Sequence, residues 1–223
     1  MITKTTGNKS SVKYLGLVMD QDLSGDSTGT NSIKKINSGL KFLYRKGYLF
    51  NTREKKMLCS TLLQPFFDYA CISWYWGLKA NFKHRLQTAQ NKMVRYTLSL
   101  DARDHVGADH LVRLKWMDVP SRVKFLSLNL LYKISQSQAP EYFYDLQLSK
   151  SSRSINTRQS QLSYILPMMG SQGKNSFIYN SVKLWNGIPY EIKISKSKDS
   201  FKKACKKLFW DQMVAKEASE YVF

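Results

Sequence analysis

Apolar residues recur at helical spacing from Ser32 to Leu98, and this pattern constrains the fold more than any other feature of the chain. Ile33, Ile36, Leu40, Leu43, Tyr44 and Gly47 fall on one face of a helix over 32–47. Lys34, Lys41 and Arg45 lie on its flank, Lys35 and Lys46 on its back, and Phe42 points out among the charges. Asn51 and Glu54 have the spacing of a capping box and start a second helix carrying Met57, Leu58, Thr61 and Leu62. Pro65 should break or kink it, because proline cannot donate to the helical ladder. The run over 66–76 is almost wholly apolar and predicts a third, buried helix closed by Gly77. A fourth helix over 81–98 presents Phe82, Leu86, Ala89, Met93 and Tyr96 on one stripe.

The flanking regions are less regular. Residues 1–11 read as a disordered lead-in, 12–23 as one or two short strands, and 24–31 as a loop rich in turn residues. The polar run 101–109 reads as a connector and boundary. A helix near Pro120 carries Val119, Val123, Leu126, Leu130 and Ile134. Residues 149–176 read as a long loop with one strand near Tyr164–Leu166. A helix over 174–186 carries Phe177, Ile178, Val182 and Trp185 and ends at Gly187 and Pro189. The last helix starts near Ser200, with Phe201, Ala204, Cys205 and Leu208 facing in. Lys202, Lys203, Lys206 and Lys207 face out, with Trp210 on the same outer side. The expected fold is mainly α, with a short β segment at the front.

Charge narrows the function. Lys and Arg number 35 against 16 Asp and Glu, a net charge of +19. Such an excess favours a polyanionic partner, because each neutralised phosphate releases condensed counterions. The excess is uneven: eight basic residues and one acid, Glu54, lie between Lys34 and Lys56. Three widely spaced cysteines, Cys59, Cys71 and Cys205, argue against a disulfide framework and fit a reducing compartment. The chain shows no signal peptide and no apolar run of spanning length, so an intracellular protein without a membrane partner is expected.

Several separate pieces of the chain, in order, resemble one family. The densest is 62–100, with Leu62, Leu63, Pro65, Phe67, Asp68, Tyr69, Ala70, Trp74, Leu86, Gln87, Gln90, Asn91 and Arg95. Val12 to Gly16 with Asp20 and Leu23 is a second piece; His110 to Leu114 with Trp116, Val119 and Arg122 a third; Tyr132, Lys133 and Ala139 to Tyr142 with Leu146 a fourth. Ser176, Phe177, Lys183 to Pro189, Ile192, Ser200 to Lys202 and Leu208 close the pattern. Together they resemble the region after the polymerase core in LINE-type (non-LTR) retrotransposon reverse transcriptases of the Jockey-like branch. The resemblance implies a palm remnant over 1–30, a thumb-like helical bundle over 31–100 and a C-terminal helical region over 101–223. Trp74, Trp76, Trp116 and Trp185 read as core residues, and the resemblance supports this at three of those positions. It also implies a parent enzyme that uses divalent metal for RNA-directed DNA synthesis, in the nucleus or cytoplasm, with the catalytic aspartates upstream of this segment.

The chain's own residues offer no such chemistry. Two-metal catalysis needs paired carboxylates, and no Asp-Asp pair occurs. Asp20 and Asp22 read as turn residues, and Asp101, Asp104, His105, Asp109 and His110 as a solvated connector. No CxxC spacing, nucleophile–histidine signature or glycine-rich phosphate loop is present. No cofactor is therefore expected for this chain. What remains is cations interleaved with aromatics, which can track a phosphate backbone while stacking on bases. The candidate nucleic-acid contacts are Lys34, Lys41, Phe42, Arg45, Lys55, Lys56, Lys202, Lys206 and Trp210. The expected partners are RNA or RNA–DNA hybrid and the missing polymerase palm. The alternative is an inactive remnant, or a helical module recruited for protein interaction.

Overall fold

Strands β1 (Ser11–Tyr14) and β2 (Leu17–Asp20) pair antiparallel, with Tyr14 opposite Leu17. Leu15 and Gly16 both have positive φ, as a tight two-residue hairpin requires. The computed structural model describes residues 11–146, 148–149 and 162–220, so the lead-in expected over 1–10 lies outside the described residues. The rest of the described chain is predominantly helical.

Helix α1 (Asp26–Arg45) is longer than the apolar stripe implied. It absorbs most of the expected loop over 24–31, and the expected boundary at residue 30 falls inside it. Tertiary partners explain the extension. The Thr28 hydroxyl donates to Val18 O (2.9 Å) and accepts from Val18 N (3.0 Å), so β2 satisfies a residue that otherwise favours turns. Asp20 Oδ2 accepts from Ser24 Oγ and Ser27 N, so this carboxylate caps the start of α1. Ile33, Ile36, Leu40, Leu43 and Gly47 are buried as the stripe predicts, whereas Tyr44 stays half exposed with its ring edge against Tyr96.

Helix α2 (Thr52–Leu58) opens on the expected capping box: Glu54 N donates to Asn51 Oδ1 (3.0 Å), and Asn51 N donates to Glu54 Oε2 (2.9 Å). Pro65 does not stop the chain. A π-helical turn (Cys59–Leu63) loosens the ladder just before it, and α3 (Gln64–Asp68) holds Pro65 in its first turn, where an N–H is not needed. The buried helix expected over 66–76 is in fact broken. Ala70 takes a left-handed conformation, and α4 (Cys71–Trp74) restarts beyond it. Phe67, Cys71, Trp74 and Tyr75 are buried, while Tyr69 turns outward and donates its hydroxyl to Leu15 O.

Helix α5 (Ala80–Leu98) packs along α1. Ile36, Leu40, Leu86 and Met93 are almost fully buried between these elements, each contributing roughly 1.5–3 kcal/mol of apolar burial. After a polar connector come α6 (Ala108–Arg113) and α7 (Val119–Ser135). The single stripe expected on α7 proves too narrow, because this helix serves two cores. Val119 and Val123 join the first, around α1 and α5; Leu128, Leu131 and Tyr132 join the second. Helices α8 (Phe177–Gly187), α9 (Tyr190–Lys193) and α10 (Lys198–Glu220) complete the second core. There the Tyr132 and Phe201 rings stack at 4.2 Å, and Tyr132 donates its hydroxyl to Ser195 O. The first core includes Leu111, Trp116 and Met213, so it crosses the expected boundary near residue 100.

The strand expected near 165 is an isolated bridge at Tyr164, with Ile165 N donating to Ser149 O and Asn186 pairing both backbone groups of Tyr164. Residues 150–161 of the expected long loop lie outside the described residues. Among the described residues no helix is long and apolar enough to cross a membrane.

Three helices end in the same way. Ser99, Lys115 and Ser137 have φ near +55, each followed by an N–H reaching back five residues: Leu100 to Arg95, Trp116 to Leu111, Gln138 to Lys133. This is the Schellman arrangement, in which glycine is the unstrained residue. Ser137 is exposed, so Ser137→Gly should stabilise the fold by about 0.5–1 kcal/mol, the relieved strain exceeding the added unfolded-state freedom. The check is a higher denaturant midpoint at unchanged m-value.

Candidate nucleic-acid interface

Burial of one face of α1 fixes what the other face presents. Lys34, Lys41 and Arg45 lie within about 40° of one another around the axis, at 100° per residue, and opposite the buried stripe, so they form the back of the helix and Lys35 and Lys46 its flank, the reverse of the expected assignment. All three are exposed, and among the described residues none has an acidic partner within ion-pair distance. They span about 16 Å along the helix, the rise of four to five nucleotides in one strand. Phe42 stands beside Lys41, 68% exposed. The structure thus brings four of the candidate residues onto one surface.

The surrounding charge is one-sided. Residues 27–53 and 69–100 contain no Asp or Glu, and these runs supply α1 from its second residue onward together with all of α5. The α5 cations are partly committed: Arg95 donates twice to Asp104 O, Lys92 reaches Asn37, and Lys83 lies over the Tyr75 ring. Burial holds the Lys83 ammonium below the usual lysine range. Tyr48, 79% exposed in the 3-10 turn (Gly47–Leu49) after α1, is a further aromatic beside this surface. Gly47 was the available signal, since a helix stop frees the next residues from the buried stripe.

The other candidates make contacts of their own. Lys55 donates to Ser99 Oγ (2.7 Å) and lies over the Tyr96 ring. Lys202 faces Asp199 one turn earlier at 4.0 Å. Lys56 and Lys206 sit close enough for their charges to interact, near Lys115 and Arg122. Trp210 requires a correction: it is not an open stacking surface. It is half-buried against both cores, and its Nε1 donates to Trp116 O (3.2 Å). An indole next to buried Phe209 and three residues before buried Met213 can lean into the core even when its neighbours on the helix are lysines.

The polar residues that carry the family resemblance hold elements together. Arg122 grips Asp68 with two bonds, Nε to Oδ1 (3.0 Å) and Nη2 to Oδ2 (2.7 Å), joining α7 to α3. Gln87 accepts from Val119 N, and Gln90 donates to Met117 O, joining α5 to the start of α7. Asp68→Ala should cost about 1–2 kcal/mol, at the low end for a charged pair because both side chains keep some exposure to screening water. Equilibrium denaturation of the variant measures this.

The fit to divalent metal is poor. Asp20 caps α1 through Oδ2, and no second carboxylate or histidine joins its buried Oδ1 among the described residues; the connector acids and histidines pair locally, with Asp101 N donating to Asp104 and His110 against Asp109. The thiols offer no nucleophile: burial pushes Cys59 up to about 11 and Cys71 and Cys205 up to about 12, leaving them protonated. Trp74, Trp116 and Trp185 are buried, as expected, and Trp76 is half-buried.

Comparison with protein-family models, curated proteins and solved structures finds no match to this chain.

Proposed function

We propose that this chain is a thumb-like and C-terminal segment of a non-LTR retrotransposon reverse transcriptase, and that it holds RNA or RNA–DNA hybrid without reading sequence. It works in the nucleus or cytoplasm, beside a polymerase palm that supplies the metal-dependent chemistry. The observation that carries the nucleic-acid reading is the row of Lys34, Lys41 and Arg45 with exposed Phe42 on a surface whose helix contributes no acid after Asp26. Cations at this spacing grip a backbone by charge and shape, and an aromatic adds stacking that any base accepts. Among the described residues no group of acids, histidines and cysteines could hold a metal ion, and the reading gives this segment a binding role.

The test is binding of the purified chain to labelled RNA–DNA hybrids of unrelated sequence at low salt. The reading predicts similar affinity for all of them and loss of binding as salt rises. A strong preference for one sequence, or no binding at low salt, contradicts it.

A second reading has its own support. Val12, Tyr14, Leu15, Met19 and Leu23 are exposed on and just after the β1–β2 hairpin. Clustered apolar residues on a two-stranded edge favour a protein partner. In the main reading that partner is the palm. In the alternative, a helical interaction module, it is another protein, and nucleic acid plays no part.

A further inference from the structure

A cleft of about 240 Å³ opens between α3, the α6–α7 turn and α10. Three cations enter its lining from three different segments: Lys115 from the turn, Arg122 from α7 and Lys206 from α10. One carboxylate, Asp68, lines it with them, and both its oxygens are taken by Arg122. That grip uses Nε and Nη2 of the guanidinium and leaves the Nη1 donors spare. Among the described residues neither Lys115 nor Lys206 has an acidic partner within ion-pair distance. Lys206 is held below the ordinary lysine range, by burial first and then by the charges of Arg122, Lys115 and Lys56. Convergent like charge of this kind is relieved by an anion seated among it.

Lys115 occupies the left-handed position of its Schellman turn, as Ser99 and Ser137 do in theirs, so its backbone marks a helix end. One further observation points to a ligand. Gln64, also in the lining, has its Oε1 buried, and among the described residues that oxygen has no hydrogen-bond partner. It is an acceptor in need of a donor, which a protonated phosphate oxygen supplies and a sulfate does not.

We propose that this cleft is a phosphate-binding site, with Lys115, Lys206 and Arg122 donating to the phosphate oxygens and Gln64 accepting from its hydroxyl. Three cations against one committed acid match the hydrogen-phosphate dianion, which keeps a hydroxyl for Gln64; a terminal monoester offers that hydroxyl as its monoanion, and an internal diester has none. The proposal uses none of Lys34, Lys41 and Arg45.

The experiment is a ³¹P NMR titration of the full chain with inorganic phosphate at fixed ionic strength and neutral pH. Saturable binding at one site per chain is expected, with sulfate competing several-fold more weakly. Lys115→Gly removes a cation while favouring the observed backbone, so its fold should hold and its phosphate affinity should drop about tenfold. Lys206→Gln should drop it similarly, and Lys34→Gln should leave it unchanged. No saturable binding by the natural chain overturns the proposal, as does unchanged affinity in both cleft variants. Competition by an oligonucleotide bearing a 5′-phosphate, against the same strand with a 5′-hydroxyl, then separates the sources. Displacement by the phosphorylated strand alone assigns the site to a nucleic-acid end; displacement by neither assigns it to free phosphate.

Discussion

Replacing Lys34, Lys41 and Arg45 together by Glu should lower affinity for RNA–DNA hybrid by at least roughly 10³-fold at about 50 mM salt, with the fold intact. Each phosphate contact contributes a log–log salt slope of about 0.7–0.9, so three contacts supply roughly three decades of affinity at that salt. Reversal adds repulsion to the lost attraction. The three side chains are exposed and among the described residues have no acidic partner, so stability should stay within about 0.5 kcal/mol of the natural chain. Phe42→Ala should act differently. It removes stacking and no charge, so affinity drops about tenfold while the salt slope is unchanged. Fluorescence anisotropy across a salt series reads both variants. A charge-reversed row that binds hybrid as well as the natural chain leaves the protein-interaction reading standing alone.

Gly25→Ala should destabilise the fold by about 3 kcal/mol, the largest single-residue effect expected outside the apolar cores. Gly25 has φ +75, which costs a residue with a Cβ about 1–2 kcal/mol. The added Cβ would also sit 2.4 Å from Trp74 O, a backbone atom, and overpacking of this kind adds about 1–3 kcal/mol. Trp74 cannot retreat easily, because its ring is buried and its Nε1 donates to Tyr69 O (3.0 Å). Gly77 repeats the approach from the other side, since a Cβ there would meet Ser24 O at 2.8 Å and Leu23 O at 2.9 Å. The joint between hairpin and α1 is thus closed backbone against backbone, and it sets where the basic row begins. For a chain of this size the melting temperature should fall by about 6–12 °C. Gly170→Ala is the control, because nothing lies within 4 Å of a Cβ there.

What the sequence disclosed, and what it hid, follows from the range of the forces involved. The Asn51–Glu54 box was readable because both partners lie within one helical turn. The buried stripe of α1 was readable because periodicity records burial directly. The first six residues of α1 were hidden, because Thr28 is satisfied by Val18 across a loop rather than by a neighbour in sequence. The break at Ala70 was hidden because alanine carries no signal for a left-handed backbone. Leu128, Leu131 and Tyr132 fell off the expected stripe of α7, since one helix feeding two cores has no single apolar face. The same limit applies to the sites. Lys34, Lys41, Phe42 and Arg45 share one helix, so their common surface could be drawn from spacing alone. Lys115, Arg122 and Lys206 lie far apart in sequence, and only the packing of α10 against the α6–α7 turn brings them to one cleft.

The most direct test of the account is the salt slope of hybrid binding, compared between the natural chain and a variant with Gln at positions 34, 41 and 45. If this row grips a phosphate backbone, neutralising it should flatten the log–log slope by roughly 2 to 2.7. Identical slopes for the two proteins would mean that nucleic acid, if bound at all, is held elsewhere.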